Sequence, residues 1–238
     1  MHFRRDDKRM RRKIGAVLAG ILLVIGIFII LIPWIAQNRT KDTQDKLQAE
    51  YERIVEENSL SKEEAKEPEA QQEMDYTVAD FINEVPEETN NSKEVKDILD
   101  RQKILGKIAC EKIGIEFVVV EGANRDNIRA SIGHITGTAG MGGNGNCVLA
   151  GHRGGYYGEF FKNIHLLENG DKVILTDVYG REYIYIMYEQ FVVEPTELWI
   201  CDEIEGENTL TLLSCEDEGT RRIIVRCRLQ ESNNLSDS

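Results

Sequence analysis

From Ile14 to Ala36 the chain carries no charged side chain and is built mainly of Ile, Leu, Val, Gly and Ala. As a helix, roughly 23 residues rise about 34 Å, enough to cross a hydrocarbon layer of about 30 Å. That run cannot form the surface of a globular fold, so it is expected to be a transmembrane helix over 14–36. It exceeds the roughly 7 to 15 apolar residues of a cleaved signal peptide, and Pro33-Trp34-Ile35-Ala36-Gln37 offers no small-x-small cleavage site. Arg4, Arg5, Lys8, Arg9, Arg11, Arg12 and Lys13 precede it, whereas only Arg39 and Lys41 follow closely. Because basic flanks stay inside, residues 1–13 form a cytosolic tip and everything after Gln37 is expected outside the cell. A single-pass protein of the cell membrane follows, with Trp34 at the interface.

Residues 37–103 are rich in Glu, Lys, Gln, Asn and Asp and read as an acidic extracellular stalk, part helical and part solvated. Leu47, Tyr51, Ile54 and Val55 recur at helical spacing, as do Val78, Phe81, Ile82 and Val85. Either helix would have an apolar stripe to lay on the folded domain or on a partner. The net charge is −13 over 238 residues, and the basic residues of the tip are accounted for by topology. With no basic cluster interleaved with aromatics, nucleic acid is not an expected partner.

At Ile104 the texture changes. Lys107–Cys110, Glu116–Val120, Cys147–Ala150, Lys172–Leu175, Tyr183–Met187, Leu210–Leu213 and Ile223–Val225 are short β-branched or alternating runs punctuated by glycine. Val178-Tyr179-Gly180-Arg181 predicts a hairpin turn and Asn169-Gly170-Asp171 another, while only Asp126–Ala130 and Gly158–Leu167 look helical. Many short strands predict a mainly β domain, a closed barrel or a sandwich, over 104–231, followed by a polar tail at 232–238.

All of the cysteines, Cys110, Cys147, Cys201, Cys215 and Cys227, fall in this domain. Cys110, Cys147 and Cys227 lie within strand-like runs and read as small buried hydrophobes. Their odd number leaves an unpaired thiol, and the lack of paired Cys/His spacing argues against a zinc site. Glu116, Glu121, Glu203, Glu205 and Glu207 read as solvated acids, since a hard cation needs six to eight converging oxygens. No cofactor or metal is therefore expected. Cys215 differs from the other thiols because it ends its run, and His152 likewise follows the run ending at Gly151. A thiol, an imidazole and the Arg222 guanidinium that opens the last strand are the parts needed to attack a carbonyl, move a proton and stabilise an oxyanion. His134 and His165 read as structural.

These residues resemble the sortases, membrane-anchored cysteine transpeptidases of Gram-positive surfaces. The resemblance covers roughly Gly106 to Leu229. Lys112-Ile113-Gly114-Ile115 and Val118–Gly122 are similar to the family's opening strands. Ile132-Gly133-His134 with Gly137-Thr138-Ala139, and Gly145–Arg153, are similar to its central segment. Thr211-Leu212-Leu213-Ser214-Cys215 resembles its Thr-Leu-x-Thr-Cys signature with Ser214 in place of Thr, and Arg222 stands where the family arginine precedes the last strand. The resemblance implies a closed eight-stranded β-barrel with one or two short helices, Cys215 as nucleophile, His152 as acid/base and Arg222 beside the oxyanion. Arg221 is the alternative, because neighbouring strand residues face opposite sides.

The implied substrates are secreted proteins with a C-terminal Leu-Pro-x-Thr-type sorting signal, and the implied acceptor is a peptidoglycan or lipid-linked amine. Pilus-assembling members carry an Asp-Pro-aromatic lid. Here Asp75-Tyr76 and Asp80-Phe81 lack the proline and the tail Gln230–Ser238 is polar, so the chain looks more like single-anchor sortases such as class D. Two other classes of function compete: a hydrolytic thiol protease on the same fold, and a non-catalytic peptide-binding surface domain.

Overall fold

A computed structural model describes residues 20–27, 41–60, 104–154, 159–216 and 219–230. It divides into a unit of residues 1–39 and a unit of residues 40–238. In the first, residues 20–27 are helical; among the described residues no helix is long and apolar enough to cross a membrane. The rest of the 14–36 run, the second stalk stripe at Val78–Val85 and the acidic pairs at Asp75 and Asp80 lie outside the described residues.

The second unit holds eight strands: β1 (Ile104–Cys110), β2 (Ile115–Glu121), β3 (Ile132–His134), β4 (Asn146–Ala150), β5 (Lys172–Asp177), β6 (Glu182–Val193), β7 (Thr209–Glu216) and β8 (Arg221–Leu229). They close into a barrel in the order β1-β2-β3-β4-β7-β8-β6-β5. The β2–β3 and β4–β7 pairs are parallel and the others antiparallel. Every run expected to be a strand lies within one of these elements. The expected β5–β6 hairpin is present, with Gly180 at φ 76° and the Asp177 carboxylate accepting from the amides of Tyr179 and Arg181.

Closure follows from the period of two. Ile108, Val119, Ile132, Leu149, Leu175, Tyr185, Leu212 and Val225, one from each strand, meet in a single buried cluster that fills the lumen. Cys110, Cys147 and Cys227 belong to it as well. Completely burying a Leu or Ile side chain contributes about 1.5–3 kcal/mol, so this cluster is the main source of stability. The opposite face of β4, β7 and β8 is not left to water. Val148, Ala150, Leu213 and Ile224 are covered by Ala123, Ile128, Ile135 and Ile200, with Phe191, Val193 and Cys201 at the edge. β7 is accordingly buried on both faces from Thr209 to Ser214, with the Thr209 and Thr211 hydroxyls satisfied by Asn146 Oδ1.

Among the described residues of this unit, two α-helices lie outside the barrel. Helix α1 (41–60) buries Leu47 and Tyr51 against Ile104, Val118 and Val120, with Ile54, Val55 and Val178 alongside. The Tyr51 hydroxyl donates to the Asp177 carbonyl at 3.3 Å, and Asn58 Nδ2 to the Val178 carbonyl at 2.9 Å. The first stalk stripe thus lies on the barrel. Helix α2 (Arg125–Ala130) is capped by Asn124, whose side chain accepts from the amides of Asp126 and Asn127. Where a helix was expected over Gly158–Leu167, the described part is a turn followed by a 3-10 helix at Ile164–Leu166.

Candidate active site

Strand register places two of the three sequence candidates. In the β7–β8 ladder Cys215 stands directly opposite Arg222, and Glu216 opposite Arg221. Directly opposed residues share a face, so Cys215 and Arg222 project from the barrel's outer side together with Leu213 and Ile224. Arg222 is buried at 6% exposure, whereas Arg221 is exposed. The Arg222 guanidinium is oriented by its own turn, with Nη1 donating to the carbonyls of Gly219 at 2.8 Å and Arg221 at 3.1 Å.

His152 arrives from β4. The parallel ladder ends at Ala150 opposite Leu213, and the Gly151 amide continues it by donating to the Leu213 carbonyl at 3.1 Å. The Ser214 hydroxyl donates to the Gly151 carbonyl at 2.8 Å. His152 and Cys215 each lie two residues past that last pair, so they leave neighbouring strands at the same level. Gly151 allows this approach, because a Cβ there would come within 2.8 Å of both Ile132 and the Phe161 ring. The His152 carbonyl accepts from the Phe161 amide at 2.8 Å, so its backbone partner is Phe161 rather than β7.

Electrostatics differ between buried His134 and half-buried His152. Burial, reinforced by the positive charge of Arg129, pushes His152 down to about 4, so its ring is neutral at physiological pH. For His134, burial opposes charge, but hydrogen bonds with Cys147 and Glu121 overcome it and hold the ring up at about 10. His134 Nδ1 lies 2.9 Å from Glu121 Oε2, and Nε2 lies 3.0 Å from the Ala139 carbonyl. Acceptors at both nitrogens match an imidazolium that ties β2, β3 and the following loop together. His165 is exposed on its 3-10 helix and contacts the Lys162 carbonyl.

Several groups near the site, and Asn146 at the opposite end of β4, were not singled out in the sequence. Arg153 Nη1 donates to the Cys215 carbonyl at 3.3 Å and forms an ion pair with Glu216. Asn146 spends its amide on the β6–β7 connection, with Nδ2 donating to the carbonyls of Ile200 and Asp202 and Oδ1 accepting from Thr209 and Thr211. Adjacency to His152 and Cys215 is the signal that marks Arg153 and Glu216; for Asn146 and Arg129 the partners are remote in sequence. Among the described residues no group of His, Cys, Asp or Glu has the arrangement to hold a metal ion. Glu121 instead serves His134 and Thr136, and Glu207 pairs with Arg228.

The sortase domain family matches residues 108–230. Sortase A of Bacillus anthracis is 28% identical over 161 residues, covering 66% of this chain and 75% of its own. Sortase A of Streptococcus agalactiae is 30% identical over 138 residues, covering 56% of this chain and 56% of its own. Among solved structures, a Clostridium perfringens Sortase D5 transpeptidase superposes with a TM-score of 0.50 at 32% identity, covering 60% of this chain and 89% of that one. Sortase A from Corynebacterium diphtheriae, at 17% identity and a TM-score of 0.55, shares the fold over 82% of this chain and 86% of its own. With the closed eight-stranded barrel in place and the family domain matched over slightly more than half its length, the chain belongs to the sortase family.

Proposed function

We propose that this protein is a cysteine transpeptidase, anchored in the cell membrane through 14–36 with its barrel outside. Its substrates are secreted proteins bearing a Leu-Pro-x-Thr-type sorting signal, and its acceptor is a cell-wall amine carried by peptidoglycan or its lipid-linked precursor. The supporting observation is the register: Cys215 opposite Arg222 on one face, with His152 leaving the adjacent strand at the level of Cys215. Kinship with cysteine transpeptidases supports the reaction type; the similarity to a Sortase D5 supports a single-anchor class D subtype.

The chemistry follows from these groups. An ordinary thiol, with pKa near 8.5, is only a few per cent thiolate at neutral pH, so attack needs a base. Neutral His152 takes the thiol proton as Sγ bonds to the substrate carbonyl carbon. The Arg222 guanidinium donates to the oxygen as it becomes negative. His152 returns the proton to the departing amine as the C–N bond breaks, leaving an acyl thioester on Cys215. A second amine attacks that thioester, loses a proton to His152, and releases the thiol. An exchange of one amide for another needs no external energy source.

Incubating the full chain with a sorting-signal peptide, with and without triglycine, tests this reading. Transpeptidation predicts a peptide–triglycine product that disappears in Cys215→Ala. Amine-independent cleavage would replace it with the protease reading, and no Cys215-dependent reaction would leave a binding domain.

A further inference from the structure

The β4–β7 ladder stops just before the residues that matter. After Gly151 the β4 chain turns toward Phe161, while β7 continues with β8 as far as Glu216 opposite Arg221. His152 and Cys215 therefore sit where two chains diverge, and backbone pairing does not set their separation. Arg153 spans that divergence, holding the Cys215 carbonyl through Nη1 and the Glu216 carboxylate as an ion pair. Both side chains are largely withdrawn from water, at 28% and 20% exposure, which weakens screening relative to a surface pair. Both contacts are made by the same nitrogen, Nη1, which carries two N–H donors.

We propose that Arg153 and Glu216 are positioning residues, a charged clamp that holds His152 and Cys215 at reacting distance while presenting no net charge to them. The proposal rests on the reading of His152 and Cys215 as the reacting pair. The charges facing them are Arg129 on α2, Arg222 on β8, and the clamp itself. An intact clamp contributes opposite charges that cancel. Removing Arg153 leaves Glu216 an uncompensated anion one residue from Cys215, on the opposite face of the strand, and weakly disfavours the thiolate; removing Glu216 leaves an extra cation and weakly favours it. A pair that only stabilised the fold would lower the melting temperature without the loss of kcat.

The test uses the full chain with Arg153→Gln, Glu216→Gln and the double variant. One readout is peptide transfer to triglycine; the other, which needs no substrate, is the pH dependence of Cys215 alkylation by iodoacetamide, followed by mass spectrometry of the Cys215 peptide. Each single variant is expected to lower kcat by about 10- to 100-fold with KM within about twofold, and the double variant to be no worse than the poorer single. The alkylation midpoint is expected to move up in Arg153→Gln and down in Glu216→Gln, and to return toward wild type in the double. Glu216→Gln preserves shape, so it stands as the deciding variant should Arg153→Gln melt below the assay temperature. Unchanged kcat and midpoints, or a lowered melting temperature without either change, overturn the clamp. Wild-type chain that transfers no peptide while its variants still shift alkylation would remove the proposed function and leave the clamp standing.

Discussion

Arg221 and Arg222 are adjacent and identical in chemistry, yet the ladder gives them different surroundings. Arg222 is buried opposite Cys215; Arg221 is exposed opposite Glu216. Arg222→Lys keeps the charge but loses the planar fork, and is expected to cost about 3 kcal/mol of barrier, on the order of a hundredfold in kcat, with Arg221→Lys near wild type. The reverse pattern in a peptide-transfer assay would transfer the oxyanion role to Arg221. Buried His134 and half-buried His152 also carry opposite pH signatures. His134, raised from the usual 6.5 to about 10, stabilises the fold fully below pH 6.5, and that contribution is lost as pH rises to about 10. His152, lowered to about 4, has no such effect above 6.5 and destabilises the fold increasingly as pH falls from 6.5 toward 4. Melting temperatures across pH should therefore lose their alkaline decline in His134→Gln and part of their acid decline in His152→Gln; unaltered profiles would refute these ionisation states. Cys215, His152 and Arg222 were legible because each terminates or opens a β-run. The cationic state of His134 was not, since it depends on Glu121, Cys147 and Ala139, brought together only by the β2–β3 and β3–β4 pairings.

At the scale of elements, the β6–β7 connection is fixed over the outer face by one amide. Asn146 uses donor and acceptor alike, binding the carbonyls of Ile200 and Asp202 and the hydroxyls of Thr209 and Thr211. Asn146→Leu strands those buried partners and is expected to destabilise the protein by about 3 kcal/mol in urea unfolding. It should also raise KM for a sorting peptide more than it lowers kcat, because the loop lies beside the face that carries the site. A variant with wild-type stability would show that Ile200 and its neighbours hold the loop by packing alone. Helix α1 gives a parallel case. Its stripe of Leu47 and Tyr51 is buried on β1 and β2, and Gln44 donates to the Ala130 carbonyl at the end of α2. Leu47→Ala is expected to cost about 2–5 kcal/mol. A chain starting after residue 60 should melt well below the full chain, and equal melting temperatures would mean that the helix contributes nothing to the fold. The α1 stripe was visible at helical spacing, but the surface receiving it was not. Strand β3 escaped the sequence reading for a different reason: Ile132-Gly133-His134 is too short and too glycine-rich to show a period.

At the scale of the molecule, barrel closure does what no local sequence can. It brings β4 next to β7 and β7 next to β8, so that residues 152, 215 and 222 lie at the same end of three neighbouring strands while the lumen is filled by apolar side chains. The sequence pattern was enough to predict a β domain, because seven of the strands carry β-branched or alternating runs. Closure came from the family resemblance, since period-two patterns fit a sandwich as well as a barrel, and the strand order was not legible. The acyl-enzyme is the most direct witness of the proposed convergence. The full chain should be mixed with a Leu-Pro-x-Thr peptide, quenched in acid within seconds, and its intact mass and proteolytic fragments measured. The account predicts an acyl adduct confined to Cys215, absent in His152→Ala, greatly reduced in Arg222→Lys, and discharged by triglycine. An adduct on another cysteine, or one that forms equally well without His152, would contradict it.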